Sequence, residues 1–191
     1  MGRQSKPTPP PAGTRAESSG RRRWQGKRSV LRFGLSFAVL MAAYYALAAT
    51  PWFDRLVYRL LHWNALASGA TLNLFGQGTR TTDTVIRSAR FSVNIRRGCD
   101  ALEPVWYFSA AILSFPAQSG RKLAGIAVGA VLIGAANVLR IVTLFLIGEY
   151  FPRAFGVAHL EVWPVLLILF AASLWAAWLV WTRRTPAHAP V

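Results

Sequence analysis

Long apolar runs separated by short polar segments set the pattern of this chain. Four such runs lie at residues 30–49, 101–117, 123–147 and 160–181. A helix rises 1.5 Å per residue, so about 20 residues cross the roughly 30 Å apolar layer of a bilayer. The pattern therefore predicts four transmembrane helices, of which the second is the shortest because Pro116 bounds it.

The first run has a second interpretation, as a cleaved signal peptide. It follows three arginines at residues 21–23 and ends in Ala-Leu-Ala at residues 46–48, which mimics a cleavage site. However, the run is longer than the usual signal core of about 7–15 residues. Tyr44 and Tyr45 also resemble the aromatic anchors of a membrane interface, so a retained helix is favoured.

Two further elements are predicted between the first two runs. Apolar residues recur at helical spacing over residues 52–75, which is typical of an amphipathic helix lying in the interface. Residues 79–98 alternate at a spacing of two, which predicts one or two short strands outside the bilayer. The predicted fold class is an all-α integral membrane protein with about four transmembrane helices, an interfacial amphipathic helix and a short extracytoplasmic β segment.

Composition supports a membrane protein, since 53% of the 191 residues are hydrophobic and only 15% are charged. Soluble domains average about 25% charged residues. The net charge of +15 is concentrated at the start, where residues 1–32 hold nine Lys and Arg. Residues 1–29 are predicted to be a disordered basic cytoplasmic tail, residues 30–182 a membrane-embedded domain, and residues 183–191 a short cytoplasmic tail. A polybasic stretch beside an apolar run favours contact with anionic lipids, and nucleic acid is not an expected partner.

Basic residues also orient the predicted spans. The N-terminal tail, the basic pair at 121–122 and the pair at 183–184 fall on one side, which the positive-inside rule assigns to the cytoplasm. Residues 50–100 and the predicted loop at 149–158 then face outward. The outer segment carries seven arginines of its own. However, the three basic segments agree on one orientation, and this agreement is given more weight than the charge of one long loop.

Three unusual residues converge under this topology. Cys99 and His159 lie at the outer mouths of the second and fourth spans, and Arg140 lies about 12 Å below the outer end of the third. A charged side chain in mid-helix costs roughly 2.5–3.5 kcal/mol on insertion scales and usually faces a polar cavity. A functional role is therefore favoured over a structural ion pair with Glu103 or Glu161.

Cys99 is the one cysteine of the chain, so no internal disulfide is possible. Arg96 and Arg97 precede it, and a helix N-terminus is predicted within a turn after it. Both features are expected to lower the pKa of the thiol below about 8.5. The alternative is that the cysteine is a small apolar filling residue. Asn137 lies three residues before Arg140, on the same helix face.

Together these residues predict acyl transfer. The Cys99 thiolate would attack a peptide carbonyl, His159 would act as general acid, and Arg140 would stabilise the oxyanion. Asn137 and Glu103 are supporting residues. The sequence shows no metal-ligand cluster, phosphate loop or dinucleotide fingerprint, so no metal or cofactor is expected.

A resemblance to a known family rests on three segments: Arg97-Gly98-Cys99-Asp100-Ala101-Leu102-Glu103, Asn137-Val138-Leu139-Arg140-Ile141, and His159 ahead of the last run. They resemble the exosortase/archaeosortase family, most of all its exosortase H type, over roughly residues 30–182. The resemblance implies a cysteine transpeptidase of the bacterial inner membrane whose site faces the periplasm. Its substrates would be proteins with C-terminal sorting signals, each made of a motif, an apolar helix and a basic end.

The resemblance implies that Cys99 is the nucleophile and that Arg140 and His159 act with it. The chain departs from the family pattern at one point. Many members have Asn or Ser and then Gly after the cysteine, whereas here Asp100 and Ala101 follow. A negative neighbour opposes thiolate formation.

Three other classes of function are alternatives to acyl transfer. A non-catalytic assembly subunit of an export or polysaccharide secretion system would need neither Cys99 nor Arg140. A thiol–disulfide redox protein would normally need a second cysteine. A transporter is disfavoured by the small number of spans and the lack of a visible internal repeat.

Overall fold

A computed structural model describes the backbone of residues 12–184 and the side chains of residues 27–184. The helices are α1 (Ala12–Ala48), α2 (Pro51–Leu74), α3 (Leu102–Ser114), α4 (Ser119–Tyr150) and α5 (Trp163–Arg184). The strands are β1 (Arg80–Thr82), β2 (Val85–Arg87) and β3 (Ser92–Asn94). The fold is therefore mostly helical, with a small sheet between α2 and α3.

Three segments of the described chain are long and apolar enough to cross a bilayer: Lys27–Ala48, Ser119–Tyr150 and Pro152–Arg184. The prediction of four spans is wrong at the second. Helix α3 has 13 residues and so is about 20 Å long, shorter than the roughly 30 Å apolar layer. It ends at Ser114 because Pro116 follows and disfavours helical backbone at Phe115.

Helix α1 begins at Ala12, well before the predicted start of the span at residue 30. The cluster of prolines ends at Pro11, and the residues after it include helix formers such as Ala, Glu and Arg. The predicted tail therefore overlaps the start of α1, and its disorder stays a prediction. Residues 1–11 and 185–191, which complete the two predicted tails, lie outside the described residues.

Helix α2 confirms the predicted amphipathic helix. Its first turn is capped by Thr50, whose hydroxyl accepts a hydrogen bond from the Phe53 N–H at 3.4 Å, and Pro51 occupies the first helical position. The buried residues follow one face at helical spacing: Phe53, Val57, Leu61, Ala65, Ser68, Gly69 and Leu72. This face packs against α4 and the sheet, so the apolar side of the amphipathic pattern belongs to the protein core.

The β segment contains three strands, whereas one or two were predicted. They form an antiparallel sheet in the order β1-β2-β3. Asp83 makes the tight turn between β1 and β2 with φ 55°, a left-handed conformation that Asp tolerates. Ile86 and Ile95 bury the inner face of this segment in the same core as Phe145 of α4.

The loop predicted at residues 149–158 is largely helical. Helix α4 continues to Tyr150, and a 3₁₀ turn follows at Pro152–Ala154. A π-helical turn at Ala158–Val162 then leads into α5. Pro164 has no N–H to bond to the carbonyl four residues earlier, and a π turn is one way to accommodate such a break. The segment that was predicted to be a loop therefore consists mainly of the end of α4, a 3₁₀ turn and the start of a π turn.

The helices α3, α4 and α5 run alternately up and down. At one end the Arg121 side chain donates to the Thr182 carbonyl at 2.9 Å, and the Lys122 ammonium donates to the Leu113 carbonyl at 2.7 Å. Helix α1 runs antiparallel to α3, since Tyr44 lies beside Glu103 and the earlier residue Phe37 lies beside Ala111. The basic pairs at 121–122 and 183–184 therefore lie at one end of the bundle, and the Cys99 loop lies at the other.

Small residues of α4 make close contact with aromatic rings of the neighbouring helices. A Cβ at Gly129 would overlap the ring of Phe108 in α3, and a Cβ at Gly125 would overlap the indole of Trp178 in α5. This is the close approach that small-xxx-small spacing permits in lipid. Around it lies a second core, which includes Phe108, Ile133 and Trp178.

We expect Gly129→Ala to lower the free energy of unfolding by about 1–3 kcal/mol, because the added methyl group would displace the Phe108 ring. Thermal unfolding of the detergent-solubilised protein measures this change. Gly134→Ala is the matched control, since a Cβ there meets no atom within 4 Å. It should leave stability unchanged or slightly raised, as alanine is the better helix former. Equal stability of the two variants would contradict the proposed contact.

Candidate active site

Cys99 lies in a tight loop between β3 and α3. Its N–H donates to the Arg96 carbonyl at 3.0 Å, which closes a turn. Gly98 and Ala101 on either side have left-handed backbone, with φ 91° and 65°. For a residue with a Cβ such as Ala101 this conformation is uncommon and persists only when the surroundings hold it. The loop is therefore held in place by its contacts.

Three successive carbonyls of this loop each accept a hydrogen bond from a side chain of a neighbouring helix. They are Gly98 from Arg140 Nη1 at 3.2 Å, Cys99 from Asn137 Nδ2 at 2.8 Å, and Asp100 from Asn64 Nδ2 at 3.5 Å. Asn137 Nδ2 also donates to Asn64 Oδ1 at 3.1 Å, which links α4 to α2. These bonds join the loop to α2 and α4, so Asn137 and Arg140 are anchors of the loop.

The Asp100 carboxylate, 7% exposed, occupies the start of α3. Its Oδ1 accepts from the Leu102 N–H at 2.8 Å and its Oδ2 from the Gly98 N–H at 3.3 Å. A carboxylate at this position satisfies a free N–H of the helix and opposes its partial positive charge. The helix N-terminus is therefore neutralised by Asp100 and is not available to the Cys99 thiol.

A cavity of about 490 Å³ opens beside the loop. Its wall is formed by the strand and turn residues 91–97, by Cys99, by Ile141, Leu144 and Gly148 of α4, and by Pro152, Phe155 and His159. Cys99 and His159, which are separated by 60 residues in sequence, therefore line the same cavity. The volume lies within the range of about 300–1,000 Å³ that is typical of ligand pockets.

His159 is the second residue of the π turn at Ala158–Val162, which leads into α5. Its imidazole stacks on the Phe155 ring, with centroids 5.7 Å apart and planes at 17°. Its Nδ1 is buried and has no hydrogen-bond partner among the described residues. Such π turns often occur at functional sites, and here the turn directs His159 into the cavity wall.

The expected lowering of the Cys99 pKa is wrong. Burial raises the pKa of the Cys99 thiol, the Arg140 charge opposes the increase, and the Asp100 charge adds to it. Arg97, which was expected to favour the thiolate, instead forms an ion pair with Asp54 of α2. The thiol is therefore mainly protonated at neutral pH.

Arg140 is 7% exposed and lies behind the Cys99 loop, outside the cavity wall. Neither acid suggested as its structural partner forms an ion pair with it among the described residues. Its Nε is buried without a hydrogen-bond partner in the same part of the chain. The guanidinium thus holds the Gly98 carbonyl and carries a positive charge close to the thiol.

Glu103, expected to support the site, lies elsewhere. It faces a separate cavity of about 180 Å³ together with Tyr44, Tyr45 and Asp100. The Cys99 loop divides this cavity from the larger one. Tyr44, expected to be an interface anchor, is 5% exposed and belongs to the core. Within the described residues no group of three or more His, Cys, Asp or Glu could hold a metal ion.

Sequence reasoning missed three residues of this arrangement. Asn64 lies in the segment predicted to be an amphipathic helix and no role was predicted for it, although an asparagine on a helix can donate to the carbonyl of a distant loop. Asp100 was considered only for its charge, although an Asp just before a helix is a capping signal. Phe155 was placed in a loop, and no sequence signal connects its ring to His159.

A family model described as "Transmembrane exosortase (Exosortase_EpsH)" matches residues 24–174 of the chain. The match covers more than half of the sequence and includes Cys99, Arg140 and His159. Searches of curated proteins and of solved structures give no significant match.

The pH dependence of Cys99 alkylation should follow the charges around the thiol. With iodoacetamide, half-maximal reactivity of the unaltered protein is expected above the ordinary thiol pKa of about 8.5. Asp100→Asn should move the midpoint to lower pH, because it removes a charge that raises the pKa. The Asn Oδ1 can still accept from the Leu102 N–H, while the 3.3 Å bond from the Gly98 N–H is lost. Arg140→Gln should move the midpoint to higher pH. The single cysteine makes the measured rate specific to Cys99.

Asp83→Asn is the matched control for this measurement. Asp83 is exposed in the β1–β2 turn, where Asn also tolerates the left-handed backbone. Its replacement should leave the midpoint unchanged. An unchanged midpoint in Asp100→Asn, or a downward shift in Arg140→Gln, would show that other groups set the thiol pKa.

Proposed function

The chain belongs to the transmembrane exosortase family, and from this membership we propose that it is a membrane cysteine transpeptidase that cuts C-terminal sorting signals. The observation that carries the proposal is that Cys99 and His159 line one cavity. A thiol and an imidazole in one pocket form the pair that cysteine nucleophiles use. The anchored loop holds the sulfur of Cys99 at a fixed position in the cavity wall.

Because its pKa is raised, the Cys99 thiol enters the reaction protonated and His159 accepts its proton. The sulfur then bonds to the carbonyl carbon of the scissile peptide, and the carbon–nitrogen bond breaks. The His159 imidazolium gives the proton to the leaving amine, and a thioester remains on Cys99. Attack by water or by an acceptor nucleophile releases the acyl group and restores the thiol.

Arg140 has two tasks in this scheme. It holds the Gly98 carbonyl and so fixes the loop that carries the sulfur. Its charge also favours the thiolate, and the same charge stabilises the oxyanion that forms when the thiolate attacks. This stabilisation acts through the charge and not through direct contact, because Arg140 lies outside the cavity wall.

The arrangement of the bundle supports the proposed substrate class. A sorting signal with an apolar helix of about 20 residues spans roughly 30 Å between its motif and its basic end. The basic pairs at 121–122 and 183–184 lie at the end of the bundle opposite to the Cys99 loop. If the basic ends of enzyme and substrate share the cytoplasmic side, the motif reaches Cys99 at the periplasmic side.

The proposed setting is the bacterial inner membrane, with the N-terminus in the cytoplasm. The basic residues ahead of the first apolar run would contact anionic lipids of the inner leaflet, each contributing about 1 kcal/mol near the surface. The burial of Tyr44 against α3 supports α1 as a retained span.

We expect Cys99→Ala and Cys99→Ser to abolish processing, with a loss of at least about a thousandfold, because the nucleophile is removed. His159→Ala should slow processing by about 10²–10⁴. The substrate is a co-expressed reporter protein whose C-terminal tail, taken from a host protein, has a motif, an apolar helix and a basic end. Loss of the tail is followed as a change in reporter size.

His62→Ala is the matched histidine control. His62 is outside the cavity wall, and its Nδ1 contacts the Asp83 carbonyl at 3.0 Å. Processing by this variant should be unchanged. If the Cys99 variants process the reporter as well as the unaltered chain does, the transpeptidase proposal is wrong and a non-catalytic assembly subunit is favoured.

Arg140→Lys should slow processing by about 10²–10³ although the charge is kept. An ammonium is a point charge and cannot hold the Gly98 carbonyl in the geometry of the planar guanidinium fork. The same assay measures this variant. Arg153→Lys, at an exposed position in the 3₁₀ turn, is the control and should have no effect. Normal processing by Arg140→Lys would remove Arg140 from the mechanism.

A further inference from the structure

Strand β3 has one free edge. In the described chain it pairs only with β2. The hydrogen bonds that flank this pairing run from the Ser88 N–H to the Phe91 carbonyl at 2.8 Å and from the Ile95 N–H to the Thr84 carbonyl at 2.9 Å. Phe91, Val93 and Ile95 therefore direct their backbone groups toward β2, because alternate residues of a strand face the same neighbour.

Ser92 and Asn94 direct their N–H and carbonyl groups to the other side. No hydrogen bond from the described part of the chain reaches these four groups. An unpaired row of donors and acceptors is a template for pairing with another extended chain. Peptide-binding domains use such edges, and the added strand gains its affinity from backbone hydrogen bonds.

This free edge belongs to the wall of the Cys99 cavity. Ser92 and Asn94 line the cavity together with Cys99, Phe155 and His159. The strand then continues through the turn in which the Cys99 N–H donates to the Arg96 carbonyl. A chain paired with the edge would therefore lie along the same cavity as the sulfur.

We propose that the substrate segment next to the scissile bond binds as a fourth strand along the free edge of β3, through the backbone groups of Ser92 and Asn94. This inference rests on the proposed function, because it assigns the binding mode of that substrate. Pairing with an extended backbone fixes the scissile carbonyl relative to Cys99. It places few demands on the substrate's side chains at the paired residues, so sequence preference would come from the apolar wall of the cavity.

The size of the cavity selects a single extended chain as the occupant. At about 490 Å³ the space is suited to a short peptide segment. A second copy of this chain would have to insert the edge of a folded sheet, whose neighbouring strand requires a further 4.7–4.9 Å of width. The Phe155 and His159 side of the wall bounds the space available to such a sheet.

Replacement of Ser92 by proline and by alanine separates backbone from side-chain recognition. Ser92→Pro removes an outward N–H while leaving the pairing with β2, and an edge strand tolerates proline at such a position. Ser92→Ala keeps the N–H and removes only the hydroxyl. We expect Ser92→Pro to raise the KM for the purified reporter by about tenfold or more with kcat nearly unchanged, and Ser92→Ala to leave both nearly unchanged.

The alkylation midpoint of Cys99 checks that the site is intact in both variants. If Ser92→Ala raises the KM as much as Ser92→Pro does, the inference is wrong. It is also wrong if Ser92→Pro leaves both the site intact and the KM unchanged. Dissociation of a dimer by Ser92→Pro with KM unchanged would mean that the edge pairs two copies of this chain, which also overturns it.

A second measurement needs no variant of the enzyme. Synthetic peptides that span the bond cut in the reporter tail are each methylated at one backbone nitrogen and tested as competitive inhibitors. Strand pairing predicts that methylation at every second residue weakens inhibition by about tenfold or more, because only alternate N–H groups face β3. Equal sensitivity at consecutive residues, or none at all, would contradict the proposal.

The two proposals fail in different ways. Processing that survives Cys99→Ala removes the transpeptidase function. Processing that requires Cys99, combined with a methylation pattern lacking the period of two, removes only the strand-pairing inference.

Discussion

The Cys99 loop depends on hydrogen bonds from two neighbouring helices, because backbone groups outside regular helices and strands have no partners within their own segment. Helix α3 has 13 residues, and the non-helical backbone of the loop precedes its start. The carbonyls of residues 98–100 are satisfied by Arg140, Asn137 and Asn64. The helices α2 and α4 are thus joined around the loop, and the same hydrogen bonds fix the position of the sulfur.

That burial also shapes the chemistry. A thiol removed from water holds its proton more firmly, and the Asp100 carboxylate that caps α3 strengthens the effect. Arg140 opposes both but does not overcome them. In the proposed reaction a protonated thiol needs a base, and His159 lines the same cavity. Burial of the thiol is therefore linked, in that reaction, to the need for an imidazole.

Hydrophobic periodicity predicted most of the fold, because long apolar helices and the one-sided pattern of α2 follow directly from the sequence. It also indicated that Cys99 and His159 lie at the same end of the bundle, where both line one cavity. The periodicity failed for α3, where the apolar run contains only 13 helical residues. It also gave no sign of the π turn at His159. The role of Asn64 could not be predicted, because its partners come from segments distant in sequence.

The sheet positions the residues of the site more than it stabilises the fold. Its strands have three residues each, too few to persist without the core that Ile86 and Ile95 enter. Phe91 packs over Gly148, where a Cβ would overlap its ring, and its ring lies 6.0 Å from that of Phe155. Phe155 in turn stacks on His159. One end of the β3 segment thus contacts the support of the imidazole, and its other end leads into the turn that carries Cys99. The sheet therefore sets the spacing between the thiol and the imidazole.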